Sequence, residues 1–377
     1  MKTRNLFCIG LLAAAAWCQP QVVVTGLQAP HKMILSEQGN LLVAEPSMNA
    51  NSGRVSLVTR SGTRRSLLEG LPSGTEVTLA GGSGPSAMAL RGRTLYLALG
   101  AGDVERRGTA PGTSMHNPTG ASSPLFGSIL EIRFSRDVDG ISGAFRMTPQ
   151  HQMALHDGGE VELSEEGGAT ARISVLTRFP ISEPAPNVIY RFSNIWGLAL
   201  TEDGRSLYVS DASVNSLARV DLATGRWQRL VRFAPIPNPT PVGPPVLDSV
   251  PTSIRIYGDE VLVSFLSGFP FPPGHARVLA VNPGARTVEP FIFGLTSATD
   301  VLWRAMPDGG GQFYVLEFSQ NQSATPAPPG RLMRFDATGA RVMVPVLITP
   351  VSMVYDDSTK DLFILELRGQ IVRLRLD

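Results

Sequence analysis

The chain has 377 residues, of which 43% are hydrophobic and only 17% charged, with a formal net charge of +1. Disorder is excluded, since it needs low hydrophobicity and high charge, and so is a bulk electrostatic nucleic-acid binder, which needs a strongly basic face. The length suits one large all-β domain or two ordinary ones, and 38 Gly with 30 Pro point to many turns.

Residues 1–18 read as an export signal. Lys2 and Arg4 form the charged start, 6–16 the apolar run, and the small residues after Leu12 the cleavage zone. The run is shorter than the ~20 apolar residues that span a bilayer. A lipoprotein reading would use Cys18, but bulky Trp17 fits the small-residue requirement badly. Both cysteines, Cys8 and Cys18, lie in this segment, so residues 19–377 carry no disulfide, thiolate metal site or cysteine nucleophile. No later apolar segment is long enough to span a membrane. The expectation is a secreted or periplasmic protein without a membrane span.

Residues 19–377 repeat one four-strand pattern every ~40–60 residues, the period of β-propeller blades. The second strand shows the register: 41–45, 95–99, 207–211, 261–265, 313–317 and 362–366, four of them ending in Glu45, Asp211, Glu317 and Glu366. Third strands follow at 53–55, 128–132, 217–221, 277–281, 330–336 and 370–374. No segment after the signal keeps helical periodicity over three turns, which excludes a helical solenoid. The last repeat stops after its third strand, and 21–27 resembles the fourth strands of the other repeats. The spacing therefore predicts an all-β, six-bladed propeller in one domain, closed by its N-terminal strand, which removes exposed sheet edges. The stretch 141–189, with His151, His156 and the acidic cluster Asp157, Glu160, Glu162, Glu165 and Glu166, interrupts the repeat. It reads as a solvated excursion within blade two, or else as a calcium-binding or channel-covering segment.

Turns joining strands one to two and three to four are short. The loops on the other face are long: 100–127, 267–276 and 319–330. Long loops on a rigid scaffold are where ligand contacts concentrate, so that face is the candidate binding face. Residues leading into the first strands converge on its channel mouth: His31, Ser86, Asn194, Thr252, Thr299 with Asp300, and Ser352. We expect ligand contacts from His31, Arg191, Asn194, Thr252, Asp300 and the Pro-stiffened loop with Phe269 and Phe271. Mixed charge from Arg191 and Asp300 suits a small polar molecule better than a polyanion; a protein partner is the other expectation. Oxygen-rich rings suit a hard cation, which makes Ca²⁺ the candidate ion and Asn194 and Asp300 its candidate ligands. The plainer reading of the recurring acids is that each accepts backbone N–H groups of its own loop.

Enzyme motifs are missing: no Gly-x-Ser-x-Gly elbow, no His-Glu-x-x-His and no phosphate-binding Gly-x-x-x-x-Gly-Lys. The 266–274 segment Leu-Ser-Gly-Phe-Pro-Phe-Pro-Pro-Gly after Val250-Pro251-Thr252 resembles the ScyD/ScyE family of secreted bacterial β-propellers. Leu71-Pro72-Ser73, Gly84-Pro85-Ser86, Ser193-Asn194, the Asp211/Asn215 pair and Thr299-Asp300-Val301 fall at that family's places. The resemblance covers nearly all of 19–377 and implies export and a propeller acting as a binding or scaffold protein. Pro30-His31-Lys32 departs from the family's Pro-Arg-Gly, and 173–187 from its acidic segment. A weaker likeness, Arg191-Phe192-Ser193-Asn194 with Gly197-Leu198, is to six-bladed quinone-dependent sugar dehydrogenases. Gly84-Pro85-Ser86 stands where their catalytic histidine would be, so hydride removal lacks its proton acceptor. A calcium-dependent lactonase or lyase propeller of the NHL or SMP30 type is the other enzymatic alternative.

Overall fold

The computed structural model describes residues 19–76, 81–107, 114–185, 188–306 and 310–376, so the export signal lies outside the described residues. Six sheets form the blades of a propeller. Blade one runs from the channel outward as Lys32–Leu35, Leu41–Glu45, Gly53–Val58 and Arg64–Leu71. Blade two is Pro85–Arg91, Thr94–Leu99, Ser128–Phe134 and Thr170–Arg178. Blade three is Ile195–Leu200, Ser206–Asp211, Ser216–Asp221 and Trp227–Arg232, and blade four is Pro251–Tyr257, Glu260–Phe265, Ala276–Asn282 and Thr287–Leu295. Blade five is Ala298–Ala305, Gly311–Glu317, Gly330–Asp336 and Gly339–Leu347.

Blade six takes Pro350–Asp356, Asp361–Glu366 and Gln370–Arg375 from the end of the chain and Gln21–Val24 from its beginning. Gln21 pairs with Arg373 and Val22 with Val372, antiparallel. Leu27 then donates its N–H to the Gly369 carbonyl at 3.0 Å. Gly369 sits at φ +96°, and a Cβ there would run into the Leu27 carbonyl, so this turn requires glycine.

The second strands are mostly buried, with half-buried residues chiefly at their starts, because blades cover both of their faces. They therefore read as continuous apolar runs rather than alternating ones. Each pair of neighbouring blades shares one apolar cluster, giving six around the ring; the first-to-last junction holds Leu27, Met33 and Val43 against Val354, Phe363 and Ile371. The outer strands are half exposed.

The stretch 141–189 contains blade two's own fourth strand, together with additions to two blade edges. Phe145–Arg146 lies parallel to the outer strand of blade one, and Val161–Ser164 adds a fifth strand to blade two. Between them runs a short helix, Pro149–His156, started by a Thr148 capping box whose second partner is His151. Both additions cover edges that would otherwise offer unpaired N–H and C=O groups. Within the acidic cluster, Glu165 accepts the N–H groups of Ala169, Gly167 and Gly143, which hold its carboxyl below its ordinary value.

Candidate functional site at the channel

Four carboxylates recur at the blade corners, and the fold uses each of them. Glu45 accepts the Gln28 N–H at 2.6 Å, Asp211 the Asn194 N–H at 2.9 Å, Glu317 the Thr296 N–H at 2.5 Å and Glu366 the Ile348 N–H at 2.5 Å. In every case the donor lies on the connector that feeds that blade's innermost strand. A second layer of donors completes them: the Ser56 hydroxyl with Arg54 and Arg64 on Glu45, the Ser193 hydroxyl on Asp211, Arg331 on Glu317 and Gln370 on Glu366. Burial pushes the Asp211 and Glu366 carboxyls up, against these hydrogen bonds. These acids are corner clamps.

The innermost strands line the channel. In five blades the ladder slips by one residue near the strand start, which puts Ser86, Trp196, Thr252, Thr299 and Val351 at a bulge. A bulge frees one residue from pairing and turns its side chain. Thr252 and Thr299 use this to bind across blades, donating to the Ala298 carbonyl and the Pro350 carbonyl, both at 2.9 Å. Ser352 accepts the Met33 N–H at 3.3 Å and so links blade six to blade one.

The seven expected site residues do not form one contact cluster. His31 is buried and packs on the Trp196 ring of blade three, 4.6 Å between centroids, across the channel. Arg191 forms an ion pair with Asp248 at 2.7 Å. Asn194 spends its amide on Glu76 (3.1 Å) and its carbonyl oxygen on the Ala101 N–H (3.2 Å). Asp300 is fully buried and accepts from Ser253, Arg255 and the N–H groups of Val301 and Met353. Phe269 is 54% exposed and meets Phe271 edge to face at 6.1 Å. Their loop is tied down by a hydrogen bond from Ser323 to the Pro270 carbonyl.

The candidate calcium ligands Asn194 and Asp300 therefore have their oxygen atoms committed within the fold. Among the described residues no three His, Cys, Asp or Glu side chains come together as a metal set.

Two channel residues were not among those expected from sequence: Lys32 and Arg255. Arg255 reaches from blade four to Asp300 (2.8 Å) and to the Met353 carbonyl of blade six (2.8 Å). Lys32, on the innermost strand of blade one, is only 7% exposed, and its ammonium has no hydrogen-bond partner among the described residues. The charges that act on it are those of Asp300 and Arg255. Burial pulls its pKa down to about 8, with Asp300 opposing and Arg255 assisting. Burial, helped by Lys32, pulls His31 down to about 3, so the imidazole is neutral at neutral pH. Lys32 is the one lysine on the innermost strands, which was a signal available in the sequence, whereas Arg255 shares those strands with Arg91 and Arg304.

No family model matches the chain, and a search of curated proteins finds no match. Solved structures do match over most of its length. A putative oxidoreductase (glucose dehydrogenase) from Thermus thermophilus is 16% identical, covering 94% of this chain and 99% of that one, with a TM-score of 0.51. A putative phosphatase from Bacteroides thetaiotaomicron is 10% identical, covering 94% and 72%, with a TM-score of 0.51. An auxiliary nutrient binding protein from the same species is 8% identical, covering 93% and 69%, with a TM-score of 0.49. At such identities the likeness establishes the propeller fold alone.

Proposed function

We propose that this chain is an exported binding propeller of the ScyD/ScyE type, taking a small polar ligand with an anionic group at its channel mouth. The carrying observation is the charge balance of the channel. Asp300 is saturated by Arg255 and three further donors, His31 is neutral, and the Lys32 ammonium is left buried without a partner. An unpaired buried charge is costly, and an acidic ligand group against Lys32 removes that cost. Nothing in the placement of Asn194 and Asp300 favours the calcium-dependent or quinone-dependent alternatives, because each is consumed by structural partners.

Lys32→Met tests the reading. Thermal unfolding of the wild type should shift upward in phosphate or acetate relative to chloride at equal ionic strength, and the variant should show no such preference. The variant should match or exceed wild-type stability in chloride, since it removes an unpaired charge. Equal anion responses in the two proteins would refute the assignment.

A further inference from the structure

The repeat contains its own comparison for one arginine. At the start of the third strand, Arg54 of blade one pairs in register with Glu45, and Arg331 of blade five with Glu317. Both arginines are neutralised there by the acid. Blade four keeps the arginine, Arg277, but its register partner is Phe265. Arg277 is 7% exposed, lies 5.1 Å over the Phe265 ring and donates to the Ser249 hydroxyl at 2.9 Å. Among the described residues no carboxylate pairs with it. Burial alone holds the guanidinium below its ordinary value.

Arg277 lines a cleft of about 550 Å³ between the outer halves of blades three and four. Val231, Phe233, Leu279, Val288 and Phe293 supply apolar walls. The other cation there, Arg232, is already paired with Glu183 at 2.8 Å, and the half-buried His275 ring bonds the Pro273 carbonyl. The size falls within the ~300–1,000 Å³ of ordinary small-molecule pockets. An apolar cleft ending on a buried guanidinium with free bonding capacity matches one chemical class, a carboxylate on an apolar body.

We propose that this cleft is a second ligand site, separate from the channel, which binds a small organic carboxylate with an aliphatic or aromatic body. The ligand's carboxylate neutralises Arg277 from the cleft, as Glu45 and Glu317 neutralise its counterparts from the neighbouring strand in the sister blades.

Calorimetric titration of the full chain with octanoate and with 1-octanol, near neutral pH, tests this. Octanoate should bind at least about tenfold more tightly than octanol, and Arg277→Met should reduce octanoate to the octanol level. Phe293→Glu, on the 55% exposed rim where folding is not at stake, should weaken octanoate several-fold by placing a like charge at the mouth. Phenylbutyrate in place of octanoate separates aromatic from aliphatic bodies. Equal binding of octanoate and octanol, no binding of either, or full octanoate affinity in both variants would overturn the proposal. So would octanoate binding that is lost in Lys32→Met and kept in Arg277→Met, which would move the anion into the channel and leave the channel reading standing.

Discussion

His31 and Lys32 are neighbours on one strand, yet they load the stability of the molecule in opposite parts of the pH scale. His31 has a folded pKa of about 3 against 6.5 in the open chain, so acid protonates the unfolded state first. Stability contributed by the neutral, buried imidazole is complete above about pH 6.5 and falls by ~1.4 kcal/mol per pH unit toward pH 3. His31→Phe should remove that slope, and urea unfolding at several acidic pH values would show it; an unchanged slope would place the acid sensitivity elsewhere. Lys32, with a folded pKa of about 8 against 10.5, gives a slope of the same sign at the alkaline end. There the folded state loses its proton first, so stability rises between about pH 8 and 10.5. A bound anion at Lys32 should flatten that rise by restoring the ammonium. Neither behaviour was legible in the sequence, because burial and partners across the ring set both values, and the ring is assembled from residues hundreds of positions apart.

At the scale of strands and corners, much more could be read in advance. The buried second strands are contiguous apolar runs, and their terminal acids recur because each holds the connector into its blade's innermost strand. Glu45 shows what such an acid is worth. It is 1% exposed and bonded to the Gln28 N–H, Ser56, Arg54 and Arg64. Glu45→Ala leaves buried donors and two arginines unmatched and should cost about 3–5 kcal/mol in urea unfolding. A cost under about 1 kcal/mol would mean that water replaces it well. The same repeat concealed the exceptions: the position that is Glu45 in blade one is Phe265 in blade four, which orphans Arg277. A substitution in one strand changed the chemistry of another, and only the cross-strand register reveals the pair. The bulges hid Trp196 in the same way, since a one-residue slip in the ladder decides which side chain turns toward the channel.

The whole molecule is held by six inter-blade clusters and one closure, in which Gln21–Val24 completes the sheet made by the end of the chain. The missing fourth strand of the last repeat announced this closure in the sequence. Removing residues 19–27 strips Leu27 from the junction of blades one and six and bares the edge of Gln370–Arg375. At ~1.5–3 kcal/mol for each buried aliphatic side chain, the loss should be on the order of 5 kcal/mol. Urea titration should show an earlier transition, and unchanged midpoints would mean that the ring is stable without its clasp. The closure also sets an order in time. Gln21 and Arg373 meet across 352 positions, so the clasp strand leaves the ribosome ahead of all six blades and waits for the sixth. Blades one to five can assemble as they emerge, but the ring cannot lock until blade six has been made. Through that interval the chain remains open, threadable and dependent on whatever keeps unpaired strands apart.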